Sequence, residues 1–162
     1  MSAGPLVASG VGILLLVVTA YVLIGGTLTT TEVMVEAQSN LAAYQEARMR
    51  TSIAIQNTNL DGQTLSVEVK NTGSEPVVDT AAIDVYLQVD GEPVYVPYGK
   101  DTETYHWNKE YIDPDGVHPG QLDPGETLNL SVTCPTDATP TWIQVVTPNG
   151  VSSSAYIQTT GE

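Results

Sequence analysis

The first charged side chain in this sequence is Glu32. Before it, the 23 residues from Leu6 to Leu28 include 13 Val, Leu or Ile. A helix of that length covers about 34 Å, close to the roughly 30 Å hydrocarbon layer of a membrane. The 13 aliphatic residues favour insertion by about 4–8 kcal/mol before Gly, Ser and Thr offset part of it. A soluble core seldom accepts such a run without a polar face, so a buried core helix is disfavoured. A cleaved secretory signal needs a basic start, and Met1-Ser2-Ala3-Gly4-Pro5 has no Lys or Arg. The expectation is a retained helix, with Leu6, Val11, Ile13, Leu14, Leu15, Leu16, Val17, Val18, Val22, Leu23 and Ile24 facing lipid or identical helices in a filament. Both surroundings demand an apolar surface all round, and the residues do not separate them.

Pro5 suits a first helical turn, where its missing N–H is not needed. Gly25-Gly26 and the Thr27-Leu28-Thr29-Thr30-Thr31 stretch predict a bend or frayed segment, because Gly loosens the backbone and β-branched Thr restricts rotamers. Beyond it Val33, Ala37, Leu41, Tyr44 and Arg48 recur at helical spacing and mark a second helical piece, a stalk or packing helix. Glu46 and Arg50 form a favourable i,i+4 pair within it.

The charge is distributed unevenly. Of a net −14 in 162 residues, residues 32–50 contribute −1 and residues 51–162 contribute −13. A domain this acidic lacks the clustered Lys and Arg that displace counterions from phosphates, which disfavours nucleic acid as a partner. Two domains are expected: 1–50, the helix and stalk, and 51–162, an acidic head.

In the head the period changes to two. Ile53 and Ile55 alternate with polar neighbours, then Leu65, Val67 and Val69, then Ile83, Val85, Leu87 and Val89. Asp90-Gly91 turns the chain into Val94 and Val96, a hairpin signature. Leu128, Leu130 and Val132 follow, then Ile143 and Val145, and finally Val151, Ala155 and Ile157 after Pro148-Asn149-Gly150. About seven strands, each with one apolar face, predict an all-β fold: an antiparallel, immunoglobulin-like β-sandwich behind the N-terminal helix. A closed barrel is the alternative. Residues from Pro97 to Asp123 show no clean alternation and are expected to form a long loop, of the kind that carries function.

Little in the chain points to catalysis. There are only two histidines, His106 and His118, and no Gly-x-Ser-x-Gly elbow. A single cysteine, Cys134, excludes an intrachain disulfide and reads as a small apolar strand residue. Asp113-Pro114-Asp115-Gly116 resembles part of a calcium loop but lacks the remaining ligands and the closing Glu, so overlapping turns are expected and no metal or cofactor is assigned. The acids read as a solvated surface. A more informative cluster is Tyr95, Tyr98, Tyr105, Trp107 and Tyr111, aromatic residues of the type favoured at interfaces, taken here as a candidate partner surface or as rings pinning the loop to the sandwich. Trp142 is expected in the core or at its rim. Asn129-Leu130-Ser131 is a glycosylation sequon, with Asn129 pointing outward if Leu128 and Leu130 point in.

The order of these elements resembles the archaeal FlaF type of archaellum protein, with the related FlaG type close behind. The motifs concerned are the uncharged helix leading into Arg50-Thr51-Ser52-Ile53-Ala54-Ile55, then Val69-Lys70-Asn71-Thr72-Gly73, Val89-Asp90-Gly91, Leu122-Asp123-Pro124-Gly125-Glu126-Thr127-Leu128, and Val145-Val146-Thr147-Pro148-Asn149-Gly150-Val151. Each is a common turn pattern; the succession carries the resemblance. It implies a non-catalytic protein held in the cytoplasmic membrane by one helix, with a sandwich outside the membrane that binds the S-layer and serves as a static part of the motor. It further implies membrane lipid, other archaellum components and copies of itself as partners. Arg48 and Arg50 favour a cytoplasmic head by the positive-inside tendency; the resemblance implies the opposite, and is followed here. A helical-filament subunit, archaellin-like or pilin-like, is the alternative, though such subunits carry a charged leader that is not seen before this helix.

Overall fold

The computed structural model describes residues 4–99 and 104–158; within the helix, the side chains of Leu6 and of residues 25–33 fall outside the description. The chain divides into two compact units, Met1–Ala43 and Tyr44–Glu162. One helix, α1, runs from Gly4 to Arg50, and its last two turns belong to the second unit.

The fraying expected at Gly25-Gly26 and the following threonines does not occur: the backbone stays helical through them. Two Gly residues cost about 2 kcal/mol in a helix interior. Breaking there would forfeit the hydrogen bonds of several residues and require a second costly nucleus, so propagation between two good helical stretches wins. The window Val7–Ile24 has a mean hydropathy of 2.5 and is wholly exposed within the chain, so it is long and apolar enough to cross a membrane. The stripe expected further on is also exposed at Ala37, Leu41, Tyr44 and Arg48; the Val33 side chain lies outside the description.

The second unit is a sandwich of two antiparallel four-stranded sheets. We number the strands β1 (Ile53–Asp61), β2 (Thr64–Asn71), β3 (Asp84–Val89), β4 (Glu92–Val96), β5 (His106–Asp113), β6 (Thr127–Thr133), β7 (Pro140–Val146) and β8 (Ser152–Tyr156). One sheet has the order β1-β2-β6-β5 and the other β4-β3-β7-β8. Alternation decides the faces: Leu65, Val67, Val69, Leu128, Leu130 and Val132 from the first sheet meet Val85, Leu87, Ile143 and Val145 from the second in one buried core. The expected Asp90-Gly91 hairpin is present, with φ of 53° and 85° at the two positions. Those values require a primed turn, which is why Asp-Gly occupies it.

Both long edges are partly laced. Leu60 N donates to Gln158 O at 3.0 Å, and Thr58 Oγ1 donates to Tyr156 O at 3.1 Å, joining β1 to the end of β8. At the other edge Trp107 N donates to Pro97 O and Gly99 N to Trp107 O. The sheets are thus drawn together without closing into a barrel.

The long loop expected from Pro97 to Asp123 contains a strand, β5, that pairs with β6 through most of its length. Its signal was hidden by a bulge. Trp107 and Ile112 both point inward but stand five apart, which strict alternation forbids. The register shift between Lys109 and Tyr111 supplies the extra residue. Lys100, Asp101 and Glu103, part of the same expected loop, lie outside the described residues.

Candidate functional site

Most of the motifs that carry the resemblance converge on one place, the joint between the last helical turn and the sandwich; Val89-Asp90-Gly91 instead forms the β3–β4 turn. Thr51 N bonds back to Ala47 O at 3.0 Å, and Thr51 Oγ1 donates to the same carbonyl at 2.8 Å, closing the helix end. From the sheet side, Thr72 N and Gly73 N both donate to Ser52 O, at 2.8 and 2.9 Å, and Ser74 N donates to Arg50 O at 2.9 Å. Asn149 Nδ2 reaches Thr51 Oγ1 at 2.6 Å. Arg50 O, a helix-end carbonyl that would otherwise lack a partner, is taken up by the head.

Gly73 is required by the closeness of this approach. A Cβ built on it would lie 2.4 Å from Arg50 O and 2.5 Å from Ser52 N, both backbone atoms. Asn71 locks the same corner from inside. Fully buried, it donates through Nδ2 to Glu75 O at 2.8 Å and Leu122 O at 2.9 Å, and accepts from Gly73 N at 3.0 Å. Its own backbone pairs with Glu126 and Gly125. The Asn71-Thr72-Gly73 and Leu122–Leu128 motifs are therefore one brace. Arg50 adds ion pairs to Glu46 at 3.6 Å and Glu75 at 3.5 Å, both half-exposed or more on one side and so worth little each.

Asp115, from the stretch that resembles part of a calcium loop, serves as a turn cap, as do the nearby acids Asp123 and Glu126. Asp115 accepts from Gly120 N, Asp123 from His118 N and the His118 ring, and Glu126 from Gly116 N and Asp123 N. No group of three or more His, Cys, Asp or Glu arranged for a metal occurs among the described residues. Cys134 is buried, and desolvation pushes its thiol up to about 11, in keeping with the small apolar role expected of it.

The five aromatics taken as one candidate surface are dispersed by β5. Trp107 is fully buried, its ring 4.6 Å from that of Tyr98, so it cannot meet a partner. Tyr105 packs against the core. Tyr98 and Tyr95 are about half exposed, and Tyr111 is exposed on the other sheet, beyond the bulge. Partial burial, then the Asp84 carboxylate 3.3 Å away, hold the Tyr95 phenol above its ordinary value. Trp142 stands half-buried on β7, at the rim. Asn129 lies on the outer face of central strand β6, half-buried between Glu68 of β2 and Tyr111 of β5. Its sequon partner Ser131 donates its hydroxyl to Glu110. Sequence reasoning missed the bracing role of Asn71, Gly73 and Asn149. A polar Asn closing an apolar alternation was the available signal.

A search of solved structures places this architecture. FlaG from Sulfolobus acidocaldarius, an archaellum periplasmic stator protein, is 20% identical, with a TM-score of 0.54 over 66% of this chain and 99% of FlaG. The sandwich has the FlaG fold. A chain of the FlaF–FlaG stator complex from the same organism matches with 21% identity and a TM-score of 0.52, over 65% of this chain and 87% of that one. The archaeal flagellin FlaB1 from Methanocaldococcus jannaschii matches with 13% identity and a TM-score of 0.48, over 65% of this chain and 88% of that one. No protein-family model and no curated protein matches the sequence. The resemblance drawn from the order of motifs is borne out as a likeness of fold.

Proposed function

We propose that this chain is a non-catalytic component of the archaellum machinery, anchored in the cytoplasmic membrane by α1. Its sandwich stands outside that membrane, binds the S-layer and acts as a static element against which the motor works. The observation that carries this reading is the likeness to the stator protein FlaG across almost the whole of that protein. The 18-residue apolar window Val7–Ile24 supports the anchor, since charge-free helices of this length are stable in lipid. The brace at Asn71, Gly73 and Thr51 supports a static role, because it ties the last turn of the helix into the sheet by backbone hydrogen bonds. FlaG occurs in a complex with FlaF, and this chain is proposed to join other archaellum components, and copies of itself, in the same way.

The test is sedimentation of the full chain, in detergent, with isolated S-layer sheets. Recovery of the protein with the sheets, lost on adding excess soluble head, is the expected result. No association at any salt concentration would refute S-layer binding.

A further inference from the structure

The outer face of the β4-β3-β7-β8 sheet differs from the rest of this acidic domain. Strand register places Tyr86 beside Tyr95 on one side and Gln144 on the other, and Trp142 between Gln88 and Tyr156. The Tyr86 and Tyr95 rings are 5.4 Å apart and tilted by 55°. Alternation with the buried Val85, Leu87, Ile143 and Val145 turns all of these side chains outward. Tyr95 is 53% exposed and Tyr156 81%. Asp84 is the one charged residue at the paired outward positions of these strands, set at a corner with the Tyr95 hydroxyl on its carboxylate. The opposite sheet, by contrast, presents Glu68, Lys70 and Glu110. In a domain of net charge −13, four aromatic rings have thus been gathered on a face almost free of charge.

We infer that this face binds a neutral glycan, with Tyr86, Tyr95, Trp142 and Tyr156 as stacking surfaces and Gln88 and Gln144 as hydrogen-bonding groups between them. The chemistry selects that class. Aromatic faces carry negative π density that attracts the weakly positive C–H face of a sugar ring. The Gln144 amide and the Ser154 hydroxyl set among them would be stranded under an apolar protein surface, at a cost of about 1–3 kcal/mol each; the Gln88 amide already donates one N–H to Gly91 O at 3.4 Å and keeps its oxygen for a ligand. Sugar hydroxyls satisfy them. A basic partner would find one carboxylate here and many elsewhere on the domain, so charge directs it away. The strands are about 4.8 Å apart, so four of them make a platform about 14 Å wide, enough for an extended ligand. This deepens the proposed function, resting on the placement of the domain outside the membrane, and names the chemistry by which the head would hold its envelope partner.

The test is a fluorescence titration and affinity gel shift of the full chain with mannan and dextran, with heparin as the charged control. The detergent should be zwitterionic, since a sugar-headed one would occupy the face. Retention by mannan or dextran, weakened about tenfold or more by Trp142→Ala and by Tyr156→Ala and unchanged by Tyr111→Ala on the other sheet, is the expected result. Tyr156 is exposed enough for its variant to fold whatever Trp142→Ala does. Retention by neither polysaccharide, equal retention of all variants, preferred binding of heparin, or a dimer dissolved by Tyr156→Ala would each overturn the inference. S-layer sedimentation run alongside separates the two failures. Pelleting that survives Tyr156→Ala sinks the glycan face and leaves the proposed function standing, while glycan retention without pelleting does the reverse.

Discussion

Replacing Asn71 with Ala tests the brace directly. Its side chain makes three hydrogen bonds in a fully buried corner, to Glu75 O, Leu122 O and Gly73 N. Truncation leaves Glu75 O without its partner, while Leu122 O keeps Val77 N and Gly73 N keeps Ser52 O; an orphaned buried group costs about 1–3 kcal/mol, and each hydrogen bond lost from a group that keeps another about 0.5–1.5 kcal/mol. With partial relaxation and entry of water the loss comes to about 2–4 kcal/mol, a large share of the roughly 5–15 kcal/mol that holds a typical domain together. For a unit spanning Tyr44–Glu162, that corresponds to a fall in Tm of about 8–20 °C. Urea unfolding of this unit, followed by fluorescence of the buried Trp107 and by far-UV circular dichroism, gives the value. Asn71→Asp keeps the acceptor, removes the donor and sets a carboxylate against two carbonyls, so it should cost at least as much. A loss under about 1 kcal/mol for Asn71→Ala, or a harmless Asn71→Asp, would refute the account of the corner.

Further outcomes follow from the same structure. Gly73→Ala should destabilise by about 2–4 kcal/mol in urea unfolding, because its Cβ meets the backbone of Arg50 and Ser52; Gly125→Ala, strained only by its φ of 89° with nothing within 4 Å, should cost less. Trp107 is fully buried with Nε1 unpaired, so Trp107→Phe should cost less than about 1.5 kcal/mol while Trp107→Ala costs about 3–5, both read from thermal melts. Cys134 ionises near 9.0 when exposed and near 11 in the fold. The folded thiol is the uncharged form, so its contribution is fully present below pH 9.0 and is lost as pH rises through about 11, by about 1.4 kcal/mol per unit between them; native protein should resist thiol reagents at pH 8 and react only after unfolding. With −13 on the head, self-repulsion should fall as the Debye length shrinks from about 10 Å to 3 Å, so Tm should rise between 0.1 and 1 M NaCl.

The fold was largely legible because its core strands keep strict alternation. Leu65-Val67-Val69 and Leu128-Leu130-Val132 pair with each other as their patterns imply, and Asp90-Gly91 carried its turn in two residues. What alternation could not show was β5, where the bulge between Lys109 and Tyr111 puts Trp107 and Ile112 out of phase. That one hidden strand accounts for the mistaken loop and for the aromatic cluster that the structure takes apart. The helix was legible in its apolar half, while the fraying expected at Gly25-Gly26 does not occur, because cooperativity decides where local propensity is weak. The outer-face aromatics were readable in parity, since Tyr86 lies between Val85 and Leu87, but their alignment with Trp142 and Tyr156 depends on register across strands far apart in sequence. Asn71 is the same kind of case: its partners Glu75 and Leu122 come from two different loops, and nothing local announces that they meet.

The central claim is that α1 serves as a membrane anchor for a static head, and extraction of the full chain from its native membrane tests it most directly. Sedimentation and negative-stain microscopy of the detergent extract should show small particles, each a detergent belt with one or a few heads. Long regular fibres, with the apolar helices packed on one another in a shared core, would contradict it.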